Sequence, residues 1–158
     1  MRRAIAEARR ALEHGDVPVG AVALVGGTVV AARHNERETR PDATAHAEML
    51  LLQDLAARAE DWRLGEVTIV VTLEPCPMCA GAMVQARIGG LVFGAYDPKG
   101  GAVGSLYNLL ADPRLNHEVP VTPGVLAEEC AELLTSFFSE RRGIAGPTGD
   151  QPNGLPGG

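Results

Sequence analysis

Four reactive side chains, grouped at the starts of two segments that read as helices, constrain this chain more than any other feature. They lie in His46-Ala47-Glu48 and Pro75-Cys76-Pro77-Met78-Cys79. Cys76 and Cys79 are one helical turn apart, so both sulfurs can face one point, and the positive helix end favours their thiolate forms. Two thiolates with one imidazole suit zinc. Three protein donors are the number expected of a catalytic zinc, because a closed structural site needs a fourth, and His14, His34 and His117 have no matching spacing. The fourth position is expected to hold water, whose pKa the metal brings toward neutrality. Glu48 sits two residues from His46, so its carboxylate can point into the same space without ligating. It is the expected general acid and base. The competing structural reading is a zinc ribbon or an isolated pair of buried cysteines, which the single histidine and the missing fourth ligand disfavour.

Around these motifs the chain alternates strands and helices. Ala4, Ile5, Ala8, Ala11 and Leu12 recur at helical spacing over Arg3 to Glu13, and Gly15 follows as a stop. Val17 to Val25 and Thr28 to Ala32 are β-rich runs parted by Gly26-Gly27, the composition of a two-residue hairpin turn. Residues 33–42 lack periodicity and read as a loop. Thr44 is the expected N-cap of a second helix reaching about Ala59. A strand over Val67 to Leu73 leads into a helix with Pro77 in its first turn. After a strand over Leu91 to Ala95 come a Gly-rich loop over 96–105, a helical stretch near 106–110 and a short strand around 119–121. A last helix runs from about Gly124 to Arg142. This order predicts an α/β domain whose mixed sheet is covered on both faces. Residues 1–143 form the expected domain, and 144–158, rich in Gly and Pro, read as a disordered tail.

At 158 residues the chain suits one domain, and 46% hydrophobic with 22% charged residues is the balance of a folded protein. Three cysteines are no basis for a disulfide framework, and no apolar run is long enough to span a bilayer, so a cytoplasmic setting is expected. The formal net charge of -6 argues against a broad nucleic-acid surface while leaving room for a local patch. Lys99 is the only lysine; the other basic side chains are arginine, which can grip phosphate in a bidentate way.

H-x-E paired with P-C-x-x-C is the known signature of zinc deaminases acting on nucleobases, and both halves are present in order. The chain closely resembles the bacterial tRNA-specific adenosine deaminases. The likeness runs through Val17-Pro18-Val19-Gly20, His34-Asn35, Thr44 to Glu48, Thr72 to Cys76, Met78 to Ala82, Val92 to Ala95, Asp97, Lys99, Gly104-Ser105-Leu106, Asn116-His117 and the helix Leu126 to Phe138.

The resemblance implies a cytidine deaminase-like, three-layer α/β/α sandwich with a five-stranded mixed sheet. It implies one zinc per chain and conversion of the wobble adenosine of an arginine tRNA anticodon to inosine. A homodimer whose RNA site uses both subunits is implied as well. Asn35 would hydrogen-bond an edge of the flipped base, Asp97 would contact RNA near the target nucleotide, and Arg141 and Arg142 would meet phosphates. The plainer readings are turn residues for Asn35 and Asp97 and a solvated helix end for the arginine pair. Relative to that family the chain begins inside the first helix and carries a Gly/Pro-rich tail in place of a charged one.

Two other functions compete. A deaminase of free guanine, cytosine or a nucleoside would use the same chemistry without a phosphate-lined channel. A non-catalytic, zinc-stabilised binding subunit would have no reason to retain Glu48. Cys130 reads as a core residue, and 4% aromatic residues leave little for extended base stacking.

Overall fold

The computed structural model describes residues 1–144. Its elements, in chain order, are α1 (Arg2–Leu12), β1 (Gly20–Val25), β2 (Thr28–His34), α2 (Ala47–Ala59), β3 (Val67–Leu73), α3 (Pro77–Gln85), β4 (Gly90–Ala95), β5 (Val121–Thr122) and α4 (Ala127–Ile144). The five strands form one sheet in the order β2-β1-β3-β4-β5. The first three pair antiparallel, and β3, β4 and β5 run parallel. The expected mixed five-stranded α/β sandwich is what the chain forms.

Side-chain alternation along β3 shows how the layers are built. Ile69 and Val71 point into a core shared with Leu51 and Leu55 of α2 and Met83 and Val84 of α3. Val70, between them, faces the other way and packs with Ala4 of α1. On that second face Ile5 of α1 and Cys130 of α4 meet Ala95. A central strand buried on both faces reads as a continuous apolar run, as Val67 to Leu73 does. Cys130 is a buried core residue, as expected.

The hairpin between β1 and β2 turns on Gly26 (φ 56°) and Gly27 (φ 80°), the paired left-handed conformation that matches strand twist. Strand β1 starts at Gly20, not Val17. Strand β2 continues past the expected end at Ala32, because Gly20 pairs with His34 and Ala21 with Arg33. The polar side chains there find partners: Arg33 grips Asp54 at 2.6 and 3.0 Å, and His34 Nδ1 lies 2.8 Å from Glu7 Oε1.

Helix α2 begins later than its expected cap. Asp42 Oδ1 accepts the Thr44 amide at 2.8 Å and its hydroxyl at 2.7 Å, which closes a local turn, and His46 takes the N-cap position. Helix α4 starts at Ala127 because Gly124 and Leu126 hold positive φ of 76° and 52° and turn the chain first. The helical stretch expected near 106–110 is a single 3-10 turn over Leu109–Ala111, and the last short strand lies at Val121–Thr122. Apart from Ile144, the tail expected to be disordered lies outside the described residues. Among the described residues no helix is long and apolar enough to cross a membrane.

Because β2 runs parallel to β3 and β4, the segments that leave all three strands emerge at one edge of the sheet. Residues 35–46, 74–76 and 96–105 therefore converge there, at the carboxyl ends of the strands where open α/β sheets place ligands.

Candidate active site

His46 is the N-cap residue of α2 and Cys76 that of α3; Cys79 lies in the first turn of α3. The positive ends of both helices thus point at one place. His46 Nδ1 is 3.7 Å from Cys76 Sγ and 3.5 Å from Cys79 Sγ, and the three donor atoms all lie within 4.8 Å of one another. A tetrahedral zinc with ordinary zinc–nitrogen and zinc–sulfur bonds sets its donors about 3.6 Å apart, so these residues fit that ion. Both cysteines are free. The hydrogen bond from the Cys79 thiol outweighs burial and, with His46, draws Cys76 down to about 4. Cys79 moves up because it donates to Cys76 and is buried, and metal binding must displace that proton.

Glu48 follows in the first turn of α2 and is only 4% exposed. Burial pushes its carboxyl up to about 7, which lets it both take and return a proton near neutrality. Among the described residues one other buried acid, Glu74, lines the same cavity, and its carboxylate is taken up by backbone amides. The His46 imidazole is also raised, chiefly by its hydrogen bond with Cys76.

His46, Glu48 and Cys76 line a cavity of about 220 Å³, with Cys79 buried behind them. Val17, Val19 and Leu73 supply apolar wall; Asn35 and Asp97 supply polar wall together with His46, Glu48 and Cys76. That volume suits one flipped base and little more. A wider hollow of about 710 Å³ lies between α2 and α3, but its lining is almost wholly apolar and contains no titratable cluster. The smaller cavity is the chemical one.

The fold thus gathers six of the eight residues singled out from the sequence. Asn35 is buried; its amide donates to Val19 O at 3.1 Å, and its Oδ1 accepts the Ala47 amide at 2.9 Å. Its side-chain NH₂ is left to the cavity. Asp97 Oδ1 accepts the amides of Lys99 and Gly100, both at 3.1 Å, so Asp97 shapes a turn as well as lining the wall. Arg141 and Arg142 stand apart from the cavity wall. Arg141 donates to Gly15 O and stacks its guanidinium 4.5 Å over the Phe137 ring, while Arg142 is exposed in the last turn of α4.

Three further residues of the site were not singled out by their own chemistry, although Glu74 and Phe138 fall inside the stretches that carry the family resemblance. Arg37 and Phe138 line the cavity mouth, both exposed to solvent. Glu74 is 2% exposed, and its carboxylate accepts the amides of Asp97, Val103 and Ser105 at 2.9, 3.0 and 2.9 Å together with the Ser105 hydroxyl. Burial alone would raise its pKa, but these bonds prevail and hold it below the usual carboxylate range. The loop over 97–105 closes so tightly on it that a Cβ on Gly101 would fall 2.3 Å from the Glu74 carboxyl carbon. A Glu ending an otherwise apolar strand, within the resembling stretch Thr72 to Cys76, was the hint that its sequence offered.

The MafB19-like deaminase family model matches residues 1–142, and fold, donor set and buried glutamate together make this chain a deaminase of that class. Its relatives narrow the class. A tRNA-specific adenosine deaminase of Bacillus subtilis is 51% identical over 90% of this chain and 88% of its own length. One of Haemophilus influenzae is 45% identical over 90% and 83%. A chain from structural studies of A-to-I editing by tRNA:A34 deaminases superposes with TM-score 0.81 and 42% identity, covering 85% of this chain and 97% of that one. The chain belongs to the tRNA-specific adenosine deaminase family. A guanine deaminase of Nitrosomonas europaea shares the fold at TM-score 0.76 and 22% identity, over 87% and 82%.

Proposed function

We propose that this chain hydrolyses adenosine to inosine, with release of ammonia, at the wobble position of a tRNA anticodon. The 51% identity to a named tRNA-specific adenosine deaminase carries this reading, and the cavity, sized for one base, agrees with it. In the mechanism, His46, Cys76 and Cys79 hold one zinc. When bound there, zinc supplies the Lewis acidity that makes water a nucleophile near neutral pH. Asn35 orients the base edge through its NH₂, because its Oδ1 is committed to the Ala47 amide. Glu48 accepts one proton of the attacking water and delivers it to the ring nitrogen beside the reacting carbon; it then takes the second proton from the newly added hydroxyl and passes it to the amine, which departs as ammonia as the carbonyl forms. The apolar wall and the burial of Glu48 keep bulk water out of the exchange.

Asp97 and the exposed Arg141 and Arg142 are assigned to the RNA around the target nucleotide, the arm of an arginine tRNA in this reading. An anticodon stem-loop with adenosine at the wobble position is expected to be converted to inosine. Free adenosine, cytidine and guanine should react far more slowly, since most of the binding energy would come from the loop around the flipped base. Rapid turnover of guanine or cytosine with the stem-loop untouched would refute the substrate while leaving the zinc chemistry standing.

The working unit in this reading is a cytoplasmic homodimer. Its support is the apolar hollow between α2 and α3, where Met49, Leu52 and Ala56 flank Trp62, which is 52% exposed. A second copy turned about a two-fold axis would cover this face with itself. Sedimentation at micromolar concentration should give a dimer, and Trp62→Asp should shift it toward monomer by at least about tenfold in dissociation constant. A wild-type monomer at those concentrations would overturn the dimer.

A further inference from the structure

Arg37 is the only arginine or lysine in the wall of the cavity that holds His46, Glu48 and Cys76, among the described residues. It is exposed, and it makes no ion pair among them. Nearby arginines are engaged: Arg33 by Asp54, and Arg40 by Glu36. The adjacent carboxylate of Glu36 is shared between Arg40 and Arg33, the latter at 3.5 Å, so it does not neutralise Arg37. The backbone that carries Arg37 is fixed on both sides. Glu36 N donates to Ala45 O at 3.0 Å and Asp42 N to Arg37 O at 3.1 Å. Asp16, 1% exposed, accepts the Glu38 amide at 2.9 Å, the Thr39 amide at 3.4 Å and the Thr39 hydroxyl at 3.1 Å. A buried carboxylate thus holds the loop that presents a lone cation at the cavity mouth.

We propose that Arg37 binds a phosphodiester of the substrate strand, next to the nucleotide whose base enters the cavity. The proposal rests on the function proposed above and specifies what its site recognises outside the base. A nucleotide within a strand carries a phosphodiester on each side of its sugar, and a base seated in about 220 Å³ leaves those groups at the mouth, where Arg37 stands. The guanidinium fork matches phosphate oxygens in a bidentate way. Because the Asp16 clamp sets the loop beforehand, little ordering cost falls on binding. Free bases lack the phosphate altogether, so this contact favours a strand over them.

The test uses the full, zinc-loaded chain and the wobble-adenosine stem-loop, comparing wild type with Arg37→Ala, Arg37→Lys and Arg40→Ala. Dissociation constants are measured over a series of salt concentrations, alongside zinc content and inosine formation. Arg37→Ala is expected to bind at least about tenfold more weakly at low salt. The slope of log affinity against log salt should shrink by about 0.7, the contribution of one single-strand phosphate contact. Arg37→Lys should keep the wild-type slope, since it keeps the charge. Arg40→Ala removes the same charge outside the cavity and should change the slope much less. All four proteins should hold equal zinc. An unchanged slope in Arg37→Ala, or an equal drop in Arg40→Ala, overturns the assignment even though the wild type converts the stem-loop. A wild type that leaves the stem-loop unconverted overturns the proposed function, and this contact with it.

Discussion

Glu48→Ala is expected to retain fold and metal and to lose about 10²- to 10⁴-fold or more in turnover, the usual loss when a general acid or base is removed. The expectation follows from position. Glu48 is not one of the three grouped residues that could hold a metal, so its removal leaves them in place. It is nonetheless buried beside them, with its carboxyl raised to about 7 by that burial. Glu48→Gln preserves size and hydrogen bonding without the basicity, so an equal loss in that variant would assign the effect to proton transfer and not to a packing defect. Single-turnover inosine formation with zinc measured in the same samples is the check. A zinc-replete Glu48→Ala protein with more than about a tenth of wild-type turnover would remove Glu48 from the mechanism.

The second large effect concerns the cysteines. Cys76→Ala and Cys79→Ala should each purify with little or no zinc, while Cys130→Ala should carry about one zinc per chain like the wild type. The three thiols share a sequence identity but not a setting. Cys76 and Cys79 lie 3.7 and 3.5 Å from His46 Nδ1 at a helix start, whereas Cys130 is packed against Ile5 and Ala95 on the opposite face of the sheet. A ligand that binds only the folded state stabilises it by about 4 kcal/mol at a thousandfold excess over its dissociation constant. The two zinc-poor variants should therefore melt well below the wild type, as should wild type treated with a chelator. Metal analysis by mass spectrometry with thermal melts decides it, and equal zinc in all three variants would sink the assignment of the donors.

Much of this architecture is legible in the residues themselves, because apolar periodicity and the chemistry of His, Cys and Glu are local properties. The unbroken apolar run of Val67 to Leu73 announces a central strand, and the paired cysteines behind Pro75 announce a metal. The boundaries were less legible for a physical reason. Thr44 has the chemistry of a cap, but Asp42 claims both its amide and its hydroxyl, and the start of α2 is tied instead to Asn35, twelve residues earlier. Arg33 and His34 look like loop residues until Asp54 and Glu7 are seen beside them. Arg37, Asp16 and Glu74 were hidden for the same reason. Each acts through partners distant in sequence, and an isolated charge in a loop carries no mark of whether the fold has left it alone or set it to work.

The loop over 97–105 takes its shape from a side chain that is not in it. Three amides and a hydroxyl close around Glu74 at the end of β3, and the only space for residue 101 is that of a hydrogen atom. The rim of the pocket is therefore modular in an unequal way. The side chains at 98, 99 and 106 are exposed and escape this constraint, whereas transplanting the loop onto another deaminase requires a glutamate at the matching strand end and a glycine at its centre. A designer seeking new substrate preference in this scaffold should vary what the loop displays and leave untouched the acid on which it is wound.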